Sequence, residues 1–113
     1  MLISKKAIIT FNQKFAEGNF ENESNLNYAL EYLKHDIAWT KQLAYLIRAI
    51  LIDHVFEEGN KRTACALLLT CIDLNSYQID EKKALNLIKQ IILKNITEVN
   101  KIQWMIEDAI TKR

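Results

Sequence analysis

The sequence contains no proline, two glycines and two cysteines in 113 residues. An all-β domain uses glycine and proline at its many turns, so their scarcity points to helices joined by short connections. The two cysteines, Cys65 and Cys71, fall within one expected helix. Six helical positions separate them by about 9 Å, which is beyond disulfide reach. No further ligands cluster with them for a metal site, so they read as small apolar core residues. An excess of one charge is also lacking: 15 Lys and Arg against 14 Asp and Glu leave +1. Binding that rests on phosphate neutralisation needs a basic excess, which argues against direct nucleic-acid recognition. No apolar run approaches the roughly 18 residues that span a bilayer. The Met1–Lys6 start places its charges after its apolar residues, unlike a secretory leader. These absences lead to the expectation of one cytoplasmic domain over residues 1–113.

Half the residues are hydrophobic and 26% are charged, as in an ordinary globular domain. Apolar positions recur at helical spacing along most of the chain. Ile8, Phe11 and Phe15 share a face of a first helix, from about Ser4 to Ala16, which Glu17-Gly18-Asn19 ends. Ser24 is the expected N-cap of a second helix carrying Leu26, Ala29, Leu30 and Leu33. A brief break at His35-Asp36 precedes a third helix, from about Ile37 to Ile52, whose broad apolar face marks it as central. A fourth, from about Lys61 to Leu74, is apolar almost all round and should be deeply buried. Asp80 caps a fifth from about Glu81 to Lys94, and Thr97 caps a sixth. The expected fold is all-α: a compact bundle of about six helices, with a polar loop between its two most buried members.

That loop carries the chemistry: His54-Val55-Phe56-Glu57-Glu58-Gly59-Asn60-Lys61-Arg62. A plain connector between buried helices has no need of so many ionisable groups. Gly59 permits a turn or a close ligand approach. It stands just before a helix N-terminus, where free N–H groups and the dipole favour an anion. Lys61 and Arg62 are unfavourable there on their own, and a bound phosphate would reverse that cost. Glu58 is an oxygen ligand suited to Mg²⁺, which commonly takes one or two carboxylates plus phosphate oxygens. His54 can act as a general base near neutral pH. Base, metal carboxylate and anion cradle together suggest phosphoryl or nucleotidyl transfer.

The same residues resemble the signature of the Fic/Doc family, His-x-Phe-x-(Asp/Glu)-Gly-Asn-(Gly/Lys)-Arg. All seven specified positions match, at His54, Phe56, Glu58, Gly59, Asn60, Lys61 and Arg62. At ordinary residue frequencies a chance match is on the order of 10⁻⁹ per window. Weaker likeness covers Ser24–Leu30, Thr63-Ala64 and Leu74–Tyr77. The resemblance implies a role for each residue. His54 would take the proton of a target hydroxyl, and Phe56 would anchor the loop in the core. Glu58 would hold Mg²⁺ against ATP. Gly59 and Asn60, including the Asn60 side chain, would form the anion hole, and Lys61 and Arg62 would grip phosphate oxygens.

Within the family, AMP-transferring members carry glycine where this chain has Lys61, and a second arginine where it has Cys65. Doc-type members have the lysine and lack that arginine. For them the resemblance implies a toxin that moves the γ-phosphate of ATP to Ser or Thr of a translation elongation factor, restrained by an antitoxin peptide from a neighbouring gene. Gly59 matches the AMP-transferring pattern better than the alanine of some Doc proteins, so protein adenylylation stays open. So does a catalytically weak module that binds a nucleotide or an antitoxin. The oligomeric state is open as well, a homodimer included. The remaining polar and aromatic residues have blander expectations. Glu57 reads as a solvated loop charge, Asp53 as a helix-end carboxylate, His35 as a residue without a role, and Trp39 and Trp104 as packing residues. Gln13–Gly18 approaches the family's inhibitory helix pattern only by coincidence. The short Lys34–Ile37 break leaves no room for the β-hairpin flap that aligns targets in many Fic enzymes.

Overall fold

The computed structural model describes residues 3–113 and is mostly helical, with a Cα radius of gyration of 12.7 Å. Six α-helices appear in order: α1 (Lys5–Gln13), α2 (Glu23–Glu31), α3 (Trp39–Leu51), α4 (Asn60–Leu74), α5 (Glu81–Leu93) and α6 (Val99–Ala109). A 3₁₀ turn, Tyr32–Lys34, follows α2 directly, and no hairpin separates it from α3 among the described residues. Two short strands, β1 (Tyr77–Gln78) and β2 (Thr111–Lys112), pair antiparallel with Tyr77 opposite Lys112. No described helix is long and apolar enough to cross a membrane.

Helix α3 is the centre of the bundle, packed against α2, α4, α5 and α6. Leu43, Leu46, Ile47 and Ile50 are fully buried on it, as its expected broad apolar face requires. Leu67, Leu68 and Ile72 of α4, Ile91 of α5 and Ile102 of α6 close the same core. At roughly 1.5–3 kcal/mol for each fully buried large side chain, this cluster fixes where α3 ends and α4 begins. The loop between them is thereby held at both ends.

Several local expectations are corrected. Helix α1 stops at Gln13, before Ala16, because the Asn12 carbonyl accepts the N–H groups of both Phe15 and Ala16 and so closes a final turn. Phe15 leaves the core face and is 42% exposed. Ser24 lies inside the first turn of α2; the N-cap is Asn22. The N-cap of α6 is Glu98, in place of Thr97. Helix α3 starts two residues late, after a turn in which the Ile37 N–H bonds to the His35 carbonyl. Helix α4 is buried along one stripe only: Cys65, Ala66 and Leu69 are half-buried beside an open groove, and Leu74 is exposed. Trp104, expected to pack, is 62% exposed. Asp80 does cap α5, accepting the Lys82 N–H at 2.7 Å.

Candidate active site

The chain leaves α3 through Asp53 and His54. His54 is a non-glycine residue at φ +50°, a left-handed conformation that β-carbons disfavour. The Asp53 carboxylate meets Arg48 at 3.3 Å, and Arg48 also donates to the Thr97 carbonyl at 2.7 Å. Asp53 is thus engaged at the helix end by Arg48. Val55 and Phe56 then dive into the core, and Phe56 stacks on Phe20 with ring centroids 5.2 Å apart. Main-chain pairing supports that anchor: Phe56 bridges Phe20, both Glu21 and Asn22 donate to the Val55 carbonyl, and Glu57 donates to Asn19. Losing a buried phenylalanine typically costs about 3–5 kcal/mol, so the loop's middle is rigid while its two ends reach solvent.

The second half of the loop turns back into α4. Gly59 sits at φ +77° as the N-cap of α4, with no side chain to cap the helix. A Cβ there would lie 3.2 Å from Asn12 Nδ2 and 3.3 Å from the Ala16 Cβ. The positive φ favours glycine, and a Cβ would also need Asn12 or Ala16 to give way by a few tenths of an ångström. The Asn60 carboxamide spans the loop: its Oδ1 accepts the Phe56 N–H at 3.1 Å, and its Nδ2 donates to the Phe56 carbonyl at 2.8 Å. The carboxamide is thus oriented by the loop itself, and Asn60 keeps its second Nδ2–H and its main-chain N–H for an anion. Behind the turn, buried Asn12 donates to the Glu58 carbonyl at 2.8 Å and to Thr63 Oγ1 at 3.1 Å. Its own Oδ1 accepts the Gly18 N–H at 2.8 Å.

These constraints bring the expected residues onto one open pocket of about 590 Å³, walled by His54, Glu57, Glu58, Gly59, Asn60, Lys61 and Arg62. Phe15, Leu51 and Ile92 give it an apolar side. Phe56 is not in the wall; it lies beneath it in the core. The first N–H groups of α4 have no acceptor within the helix, and no acidic side chain occupies that first turn. Arg62 stands over the Phe15 ring at 5.9 Å. A second, more apolar hollow of about 550 Å³ adjoins along α4 and shares Phe15, Lys61 and Arg62, with Cys65, Leu69 and Ile88 in its floor. Burial raises the Cys65 thiol pKa, and Glu81 adds to the effect.

Among the described residues the Glu58 carboxylate has no partner, and no three His, Cys, Asp or Glu side chains converge on a metal position. That donor set fits Mg²⁺ carried in by a nucleotide and held by one carboxylate plus phosphate oxygens. It does not fit a resident cation in an all-protein cage. Glu17 lines a small cavity of about 120 Å³ with Glu57 and Glu58, and forms no ion pair with Arg62 among the described residues.

Sequence reasoning missed Asn12, Asn22 and the outward swing of Phe15. Asn22 reads as an ordinary helix cap, and Asn12 carries no local signal that it is buried. Phe15 follows the apolar period of α1 beyond the point where the helix ends. In comparisons with known proteins, no family model, curated protein or solved structure matches the chain significantly.

Proposed function

We propose that this chain is a Doc-type phosphotransferase that moves the γ-phosphate of ATP to a serine or threonine hydroxyl of a target protein. One observation carries the reading. The exposed imidazole of His54, the free carboxylate of Glu58 and the uncapped, cationic start of α4 share the wall of one pocket. Phosphoryl transfer asks a protein mainly for positioning and charge stabilisation, and that wall supplies both. His54 accepts the hydroxyl proton as the oxygen attacks the γ-phosphorus. The bond from that phosphorus to the β–γ bridging oxygen breaks, and ADP leaves. The N–H groups of Gly59 and Asn60, with Lys61 and Arg62, hold the phosphate oxygens. Mg²⁺ bound at Glu58 would neutralise phosphate charge. A translation elongation factor as target and an antitoxin peptide as restraint belong to the same reading.

The adjoining hollow favours γ-transfer over AMP transfer. A nucleoside seated over Cys65, Leu69 and Ile88 would lay its triphosphate along Lys61 and Arg62, with its far end toward His54. Gly59 no longer argues for AMP transfer, because its φ of +77° and the closeness of Asn12 explain it. The test is ATP labelled on either the γ- or the α-phosphate, in a matched lysate, with wild type and His54→Ala. Label from the γ-position alone should appear on one protein. Its loss in His54→Ala should reach about 10²–10⁴-fold, the contribution of a general base. Transfer of α-label alone would replace the kinase with an AMP transferase.

A further inference from the structure

We infer that Asn22 is a positioning residue for His54, which fixes the direction of the imidazole by gripping the main chain on both sides of it. The inference rests on the reading of His54 as the base. Asn22 occupies the N-cap of α2 yet makes no side-chain cap bond there. Its carboxamide turns to the adjacent loop instead: Nδ2 donates to the Asp53 carbonyl at 2.7 Å and to the His54 carbonyl at 3.3 Å. Its main-chain N–H donates to the Val55 carbonyl at 3.0 Å. One residue therefore holds three successive carbonyls of the loop.

The geometry gives those bonds a specific consequence. The Asp53 carbonyl belongs to the peptide plane before the His54 Cα, and the His54 carbonyl to the plane after it. Fixing both planes fixes φ and ψ of His54, and with them the direction of its Cα–Cβ bond. His54 needs that hold, because at φ +50° a non-glycine residue is strained and would relax if released. Asparagine suits this role because an amide can donate two hydrogen bonds, whereas a carboxylate of the same shape only accepts.

This difference supplies the test. Aspartate is as good an N-cap as asparagine, and glycine nearly so. Asn22→Asp and Asn22→Gly therefore preserve the start of α2 while removing the grip on the loop. Both variants should stay folded, melting below the wild type for the loss of two hydrogen bonds, and should bind ATP as well as it does. Both should transfer γ-label at saturating ATP on the order of 10²-fold more slowly, as small misplacements of reacting groups do. The chain has two histidines, so proton NMR of the folded protein offers a readout independent of activity. The His54 ring signal should shift in both variants while that of His35, beyond the far end of α2, stays fixed. With His54→Ala inactive, wild-type rates and an unmoved His54 signal in the Asn22 variants would overturn the positioning role alone. Loss of the fold in both variants would also overturn it, making Asn22 a scaffold residue. Full transfer by His54→Ala would sink the base assignment, which the Asn22 variants do not test.

Discussion

At the start of α5 the Asp80 carboxylate accepts the Lys82 N–H at 2.7 Å, and Glu81 adds a second negative charge in the first turn. At the start of α4 the cap is Gly59, with no side chain to offer, and no acidic residue offsets Lys61 and Arg62 in the first turn, whereas Asp80 and Glu81 offset Lys82 and Lys83 at the start of α5. The two helices pack against each other in the same core, and both first turns carry two cations, yet only α5 has acidic side chains to set against them. A good cap contributes about 1 kcal/mol, and a favourable charge near the dipole about 0.3–1 kcal/mol. The α5 end takes both contributions. The α4 end has a glycine cap, which costs only a few tenths of a kcal/mol against aspartate, and lacks the acidic charge that the dipole favours. Under the proposed function, a phosphate at the α4 end would supply on binding the negative charge that this first turn lacks.

The strongest way to break the comparison is to give the first turn of α4 the acidic charge that α5 has and α4 lacks. Lys61→Glu places a carboxylate in the first turn of α4, where the dipole favours it. The melting temperature should rise by a few degrees, since about 0.3–1 kcal/mol is gained at about 4–8 °C per kcal/mol. ATP affinity should fall about 10- to 100-fold, because a hydrogen bond to a charged group is worth about 1.5–3 kcal/mol. Calorimetric titration and a thermal melt on one preparation give both numbers. A stabilised variant that binds ATP as well as wild type would remove the α4 end from the binding site.

The converse change strips the α5 end of its cap. Asp80→Ala should cost about 1 kcal/mol, lowering the melting temperature by about 4–8 °C, with ATP binding unchanged. A loss of ATP affinity in this variant would show that the two ends are not separate in role.

The helices were largely legible in the sequence because their apolar faces repeat at helical spacing, as in α3, and because Asp80 caps locally. The loop was legible as a string of residue types. What holds the loop was not. Asn12 and Asn22 bond to residues 46 and 31 positions away, Glu58 and Asp53 respectively, and no local pattern encodes such a partner. Asn22 in addition presents the signature of a cap and spends its side chain elsewhere. The Asn60 carboxamide shows the same limit: its bonds to the Phe56 main chain, which orient it, have no signal in the sequence. The β1–β2 pair escaped notice because two-residue strands have no period to detect.

The smallest expected effect uses α4's own cysteines to mark which part of the helix a ligand covers. Burial pushes the Cys71 thiol up to about 12 and raises Cys65 as well. The thiolate is the reactive form, so a raised pKa means less of it at any working pH. In the native protein at about pH 8, just below the ordinary thiol pKa, Cys71 should be inert to a thiol reagent, and Cys65 should react slowly but measurably. Both should react at once in denaturant. Because Cys65 lies in the floor of the hollow beside Lys61 and Arg62, ATP seated with its nucleoside there should slow its labelling several-fold. ATP bound by phosphates at the α4 end alone would leave Cys65 as reactive as before. Inorganic triphosphate separates the two cases, since it fills the cradle without a base. Protection by ATP but not by triphosphate supports the nucleoside on the Cys65 side, and with it the γ-phosphate nearest His54. Equal rates with ATP, with triphosphate and with neither would place the nucleoside elsewhere and remove that support for γ-transfer.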